Sequence, residues 1–357
     1  MITLLSLEVI SLALTVLHLV FYSHLEFFSA KVTQALQVVP LSFLMLFLAF
    51  ATEAVYFVVS AYVYIFRNRY IGMLGLTGTC FGASLASTLK LCFTEPRPFW
   101  VFTFIQGIGC NKGFGTPSGH CLSASGCISS VWSECDQKWT KYAMASALGV
   151  TILNRVYLGV HSIDQVVLGS FYGLTLGAFL NTQVVRKAVF EMSNDLRKML
   201  TFQGVIVTML FVALMIYEFN QPNWQQVWNQ NYEAHCGGQI SKNITFTKNY
   251  LETTLLFMLS GFILGYHLLG TQMIPKPSAK LYLFSLSLIL GLLLVVFGAY
   301  QLFNYIFPNS YIYLPLGVLN FATGISLSYL VPKAVIQKYP MAHVKASHFS
   351  SFELNSL

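Results

Sequence analysis

Lys90-Leu-Cys-Phe-Thr-Glu95-Pro96-Arg97-Pro98, Gly115-Thr116-Pro117-Ser118-Gly119-His120 and Asn154-Arg155-Val-Tyr-Leu-Gly-Val-His161-Ser-Ile-Asp164-Gln165 are three polar clusters in an otherwise oily stretch. Each lies at the end of a hydrophobic segment. Together they bring two guanidinium groups, one ammonium and two imidazoles to those ends. Ionisable groups are costly there unless they are paired or serve a site, and an anion held among them would meet that condition.

Around the clusters, 55% of the 357 residues are hydrophobic and 9% are charged, with a mean hydropathy of +0.64. Soluble domains carry about 25% charged residues, so the deficit identifies a lipid bilayer as the main solvent and partner. The net charge of +7 comes from sparse basic residues between hydrophobic runs. Such placement follows the positive-inside rule and makes no basic patch for nucleic acid. The seven cysteines form no CxxC pair and no zinc-like spacing, so neither a metal site nor a cofactor is expected. The 30 Phe and 19 Tyr read as lipid-facing or interfacial residues.

Runs long enough to span a bilayer lie at about 2–22, 40–65, 70–90, 119–135, 142–160, 162–182, 200–217, 251–270, 281–301 and 311–331. The expected fold is all-α: a polytopic transmembrane helical bundle of about ten spans. It divides into an N-terminal anchor with an interfacial helix (1–39), a catalytic core (40–182), a C-terminal transmembrane extension with a loop at 218–250 (183–331) and a tail (332–357). The first run has no basic n-region and no small-residue cleavage site, so it reads as a retained anchor. Residues 23–38, with His24, Glu26, Lys31 and Gln34 among apolar positions, read as a helix lying in the interface.

Threading the spans alternately collects Arg67, Arg69, Lys138, Lys141, Arg186, Lys187, Arg197, Lys198, Lys276, Lys280, Lys333, Lys338 and Lys345 on one side. Lys31, Lys90, Arg97, Lys112, Arg155, Lys242 and Lys248 fall on the other. The asymmetry predicts that the first side and both termini are cytosolic, with the three clusters on a lumenal or extracellular face. Asn243-Ile-Thr245 is an N-glycosylation sequon on that same outer side. Cys110 and Cys236 also fall there, where they either form a disulfide or stand as free thiols.

A phosphate ester needs several fixed cationic donors, preferably planar Arg forks. Lys90 and Arg97 flank the end of one span and Arg155 ends another. Ser118 and the Gly119 amide precede a span, at a helix N-terminus suited to an anion, and Pro117 and Gly119 suit a tight turn. Two histidines can divide the work: one attacks phosphorus, and the other protonates the leaving oxygen and then activates water. Gln165, four residues after His161, shares its helical face and can orient the ring; Asp164, three residues after, can do so instead.

The three clusters closely resemble the type 2 phosphatidate phosphatase and vanadium haloperoxidase superfamily, whose signatures read KxxxxxxRP, PSGH and SRxxxxxHxxxD. The first is complete from Lys90 to Pro98 and the second from Pro117 to His120. The resemblance covers roughly residues 40–182 and implies a helical bundle with a phosphate pocket at the membrane face. It implies His161 as nucleophile, His120 as general acid/base, and Lys90, Arg97, Ser118, Gly119 and Arg155 as phosphate ligands.

Two positions depart from the pattern. Asn154 stands where the family usually has Ser, and Gln165 where it usually has Asp. Glucose-6-phosphatases and dolichyl-diphosphatases resemble the chain in having His-x-x-x-Gln. The run from Cys110 to His120 and the spans after residue 182 are similar to the glucose-6-phosphatase branch, whereas the C-terminus lacks that branch's di-lysine retrieval signal.

The expected activity is therefore hydrolysis of a phosphate monoester through a phosphohistidine in an endomembrane or plasma membrane. A lipid phosphate, phosphatidate-like or a sphingoid-base phosphate, is the first expected substrate, and a sugar phosphate the alternative. A catalytically silent membrane-complex subunit is the alternative of another class. His18, His24, His235, His267, His343 and His348 carry no motif and read as structural or surface residues.

Overall fold

An apolar run in a bilayer satisfies its backbone most simply as a helix, because every N–H and C=O is then paired within the segment. The computed structural model describes residues 4–66, 68–192, 194–220, 224–270 and 313–338, with scattered positions from 284 to 299. Every regular element among them is helical. In chain order these are α1 (Leu4–Gln37), α2 (Ser42–Phe66), α3 (Arg69–Phe93), α4 (Pro98–Val101), α5 (Gly119–Val131), α6 (Lys138–Tyr157) and α7 (Ile163–Leu180). They continue with α8 (Gln183–Glu191), α9 (Leu196–Phe219), α10 (Gln226–Cys236), α11 (Lys242–Glu252), α12 (Leu255–Leu269), α13 (Tyr313–Ile325) and α14 (Val331–Lys338).

Five helical segments among the described residues are long and apolar enough to cross a membrane: Leu4–Gln37, Ile163–Leu180, Leu196–Phe219, Lys242–Leu269 and Pro315–Lys338. The chain is a polytopic helical membrane protein. Nine of the ten expected runs overlap a described helix. The run at 281–301, apart from scattered positions, and the tail beyond Lys338 lie outside the described residues.

Small residues let three helices approach closely enough to build a rigid centre. A Cβ on Gly78 of α3 would lie 2.5 Å from the Gly126 carbonyl of α5. One on Gly173 of α7 would lie 2.0 Å from Ser125 Oγ and 2.4 Å from the Leu122 carbonyl, both on α5. The short helix α5 is therefore clamped between α3 and α7. From outside, α1 packs on α7 through hydroxyl pairs, Ser11 with Thr175 at 2.9 Å and Thr15 with Tyr172 at 2.6 Å.

Two regions gain detail from the structure. The helix expected over 23–38 follows the first run at a kink at Phe21, whose φ and ψ are −110° and 16°, and the two together make up α1. Glu26, Ser29, Ala30 and Thr33 share one helical face, and all four are buried. Ser29 Oγ accepts a 2.6 Å bond from Ile163 N, and Gln37 Nε2 donates to the carbonyls of Gln106 and Tyr157 at 2.8 and 2.9 Å. The second region is the loop at 218–250, which contains α10 and most of α11. Their polar sequences gave no hydropathy signal, although Ser241 caps α11 by accepting from Ile244 N at 3.3 Å.

Candidate active site

Lys90 lies in the last turn of α3, which ends at the left-handed residue Thr94 (φ 52°) and the prolines beyond it. The next segment turns Arg97 inward, where it is 1% exposed. Three carbonyls fix its guanidinium plane. Nε donates to Gly113 O at 2.5 Å, Nη1 to Val160 O at 2.7 Å and Nη2 to Phe114 O at 3.1 Å. Nη1 also lies 3.3 Å from His161 Nε2.

Ser118 precedes the first residue of α5, and its N–H donates to Gln165 O at 3.0 Å. Its Oγ is buried and, among the described residues, has no hydrogen-bond partner. Gly119 follows, and a Cβ there would lie 3.4 Å from Lys90 Nζ, so the lysine stands close to the α5 N-terminus. That combination of orphaned hydroxyl, helix N-terminus and ammonium suits a phosphate oxygen.

Arg155 comes from the last turn of α6 and is 5% exposed. Asn154 Oδ1 accepts from its Nε at 3.0 Å and its Nη2 at 2.6 Å, leaving Nη1 on His120 Nε2 at 3.0 Å. Asn154 Nδ2 is itself bonded to the Met45 carbonyl. The Asn that replaces the family's Ser thus aims the arginine fork. Gly159, with φ of +68°, then turns the chain so that His161 points back into the site.

Gln165 determines how His161 is held. Its Nε2 donates to Pro96 O at 3.1 Å, which leaves Oε1 3.3 Å from His161 Nδ1. Nδ1 must therefore carry the proton, and Nε2 presents a lone pair toward the cationic groups. The neighbouring Gly115 leaves room for this amide, since a Cβ there would lie 2.5 Å from Gln165 Nε2. Burial, reinforced by the charges of Arg97 and Lys90, holds the His161 imidazole well below its ordinary pKa. Burial also lowers Arg97, to about 9, which leaves it cationic at neutral pH.

Lys90, Arg97, Ser118, Gly119, His120, Arg155, His161 and Gln165 thus converge in one buried site. Asp164 does not join them. It turns toward α1, where its Oδ2 lies 2.8 Å from His18 Nδ1. Cys110 and Cys236 form a disulfide that ties α10 to the segment before the second cluster. Asn243 is exposed on the first turn of α11.

Residues 67–188 match the family model of the PAP2 superfamily, that of the type 2 phosphatidate phosphatases. The chain carries a PAP2 domain. The matched segment runs from just before α3 into α8 and contains all three clusters. PAP2 proteins are phosphatases or related hydrolases, and the match supports a phosphatase at that coarse level. Comparison with curated proteins and with solved structures gives no match.

Several residues that shape the PAP2 site come from outside the matched segment. Glu252, at the end of α11, lies 3.5 Å from Lys90 Nζ and accepts from Ser87 Oγ at 2.8 Å. Asn249 Oδ1 accepts from Phe114 N at 3.1 Å, and Asn231 Nδ2 donates to Trp100 O at 2.8 Å. An acid at the start of an apolar run on the same side as the clusters was the signal for Glu252. Asn249 and Asn231 carried none.

Proposed function

We propose that the chain hydrolyses phosphate monoesters through a phosphohistidine on His161. The observation supporting this reading is the convergence of Lys90, Arg97, Arg155, the orphaned Ser118 hydroxyl and the α5 N-terminus on His161 Nε2, whose lone pair is exposed by the Gln165 bond. In the first step Nε2 bonds to phosphorus while the P–O bond to the leaving alcohol breaks. A bound phosphate takes over Arg155 Nη1 and favours protonation of His120, which then donates that proton to the leaving oxygen. In the second step His120 removes a proton from water, the resulting hydroxide attacks phosphorus, and the P–N bond breaks to release inorganic phosphate.

A lipid phosphate fits a pocket at the ends of membrane helices. A sugar phosphate is favoured by a different observation: α10 and α11 flank the site, held by the Cys110–Cys236 disulfide and by bonds to Trp100 and Phe114. Such a cap suits a small water-borne ester. Charge asymmetry and the Asn243 sequon support a lumenal or extracellular site with cytosolic termini.

The test is phosphate release by purified protein from phosphatidate, sphingosine phosphate, isoprenoid diphosphate and glucose 6-phosphate. His161→Ala is expected to remove at least about 10³-fold of the activity, as loss of a nucleophile does. A preference for the soluble ester selects the sugar branch. Well-folded protein that releases phosphate from none of them would favour the silent-subunit reading.

A further inference from the structure

His18 lies on α1, outside the PAP2 match, and is 1% exposed. Its Nε2 lies 3.0 and 2.8 Å from the two carboxylate oxygens of Glu95. Its Nδ1 lies 2.8 Å from Asp164 Oδ2, an ion-pair contact. Glu95 Oε2 in turn accepts a hydrogen bond from Thr116 Oγ1. Tyr22 and Glu26, one and two turns along the same face of α1, and the ring of Phe93 complete its surroundings.

This one imidazole therefore links the segments that carry the three clusters, directly through Glu95 and Asp164 and by way of Glu95 to Thr116. Glu95 is two residues before Arg97, Thr116 two before Ser118, and Asp164 is adjacent to Gln165. The backbone links run the same way, with Gly115 N donating to Glu95 O at 2.9 Å and Ser118 N to Gln165 O at 3.0 Å. A buried histidine is most often an ordinary satisfied core residue, and such a residue needs one donor and one acceptor. Here both ring nitrogens face carboxylates. A neutral ring would set a lone pair against one of them, so the geometry requires the imidazolium, and removing it would leave two buried carboxylates uncompensated.

We propose that His18 is a positioning residue: as an imidazolium it holds Glu95 and Asp164 together behind the site and so sets the relative placement of all three clusters. It touches none of the phosphate ligands and acts only through Glu95, Thr116 and Asp164. The proposal rests on the phosphatase reading above for its kinetic readout.

The test compares full-length wild type, His18→Gln, Glu95→Gln, Thr116→Val and the His18→Gln/Thr116→Val double variant, with hydrolysis of the preferred ester and orthovanadate binding by thermal shift. His18→Gln is expected to lower kcat by about 10²-fold, the scale of a small misplacement of catalytic groups. KM should stay within about threefold, since the ligands themselves remain. His18 and Thr116 do not touch, so relay through Glu95 predicts that their effects on kcat are strongly non-additive. Wild-type kcat in His18→Gln, or additive effects, would overturn the proposal.

If His18→Gln does not fold, Glu95→Gln paired with Asp164→Asn reads the same relay, since these two carboxylates are linked through His18. Failure of both to fold would mark the cluster as a folding element only and overturn the positioning role. Wild type that binds vanadate but hydrolyses nothing would sink the phosphatase reading alone; because five-coordinate vanadate resembles the transition state rather than the ground-state ester, weakened binding by His18→Gln would then support the relay and unchanged binding would overturn it. Wild type that does neither overturns both.

Discussion

His161 is the residue on which the proposed chemistry depends, and its surroundings keep it ready to attack. A buried ring among cations is hard to protonate, so its lone pair persists below the ordinary histidine pKa of 6.5. The acid limb of kcat/KM is expected below pH 6.5, and a limb at or above that value would contradict the assignment. The same shift bears on stability. In the unfolded chain this histidine takes up a proton near pH 6.5 while the folded one does not, so folded protein loses stability as pH falls below that point. Urea unfolding in detergent at a series of pH values would show that slope, and its absence in His161→Ala would assign it. Asn154 and Gln165, both departures from the resembled signature, each make a defined hydrogen bond: one aims Arg155, the other fixes the His161 tautomer.

At the scale of elements, the site depends on how closely α5 sits between α3 and α7. Gly173→Ala would place a methyl 2.0 Å from Ser125 Oγ and against the α5 backbone. We expect it to destabilise the protein by about 1–3 kcal/mol, as overpacking does. At Gly204, in the middle of α9, a methyl would have nothing within 4 Å. Gly204→Ala should therefore be neutral or slightly stabilising, since alanine is the better helix former. Unfolding midpoints in detergent measured side by side would check both. Equal behaviour of the two variants would disprove the close-packing account.

Across the whole molecule, the C-terminal half contributes to the site without containing any of its three clusters. The Cys110–Cys236 disulfide closes a sequence separation of 126 residues and anchors α10 beside the site. Cys236→Ser is expected to lower stability by about 2–5 kcal/mol, the range for loss of a native disulfide closing a long loop. Denaturant unfolding with and without reductant would measure it. Reductant should shift the wild type toward the variant and leave the variant unchanged. Limited proteolysis should cut first within 218–250 once the tie is lost.

The helices around the site and the polar clusters that gather in it were legible in the residues themselves. Hydrophobic runs, proline stops and a three-part polar pattern are properties of neighbours along the chain, and local physics acts on neighbours. Polar helices such as α10 and α11 lacked that signal because they are stabilised by packing on the core rather than by burial in lipid. Only the tertiary structure could decide between Gln165 and Asp164 as the partner of His161, since both stand within one turn of it. Only it could bring His18 to Glu95 and Glu252 to Lys90, across 77 and 162 residues. Which faces meet depends on how the helices cross, and no spacing along the chain encodes that.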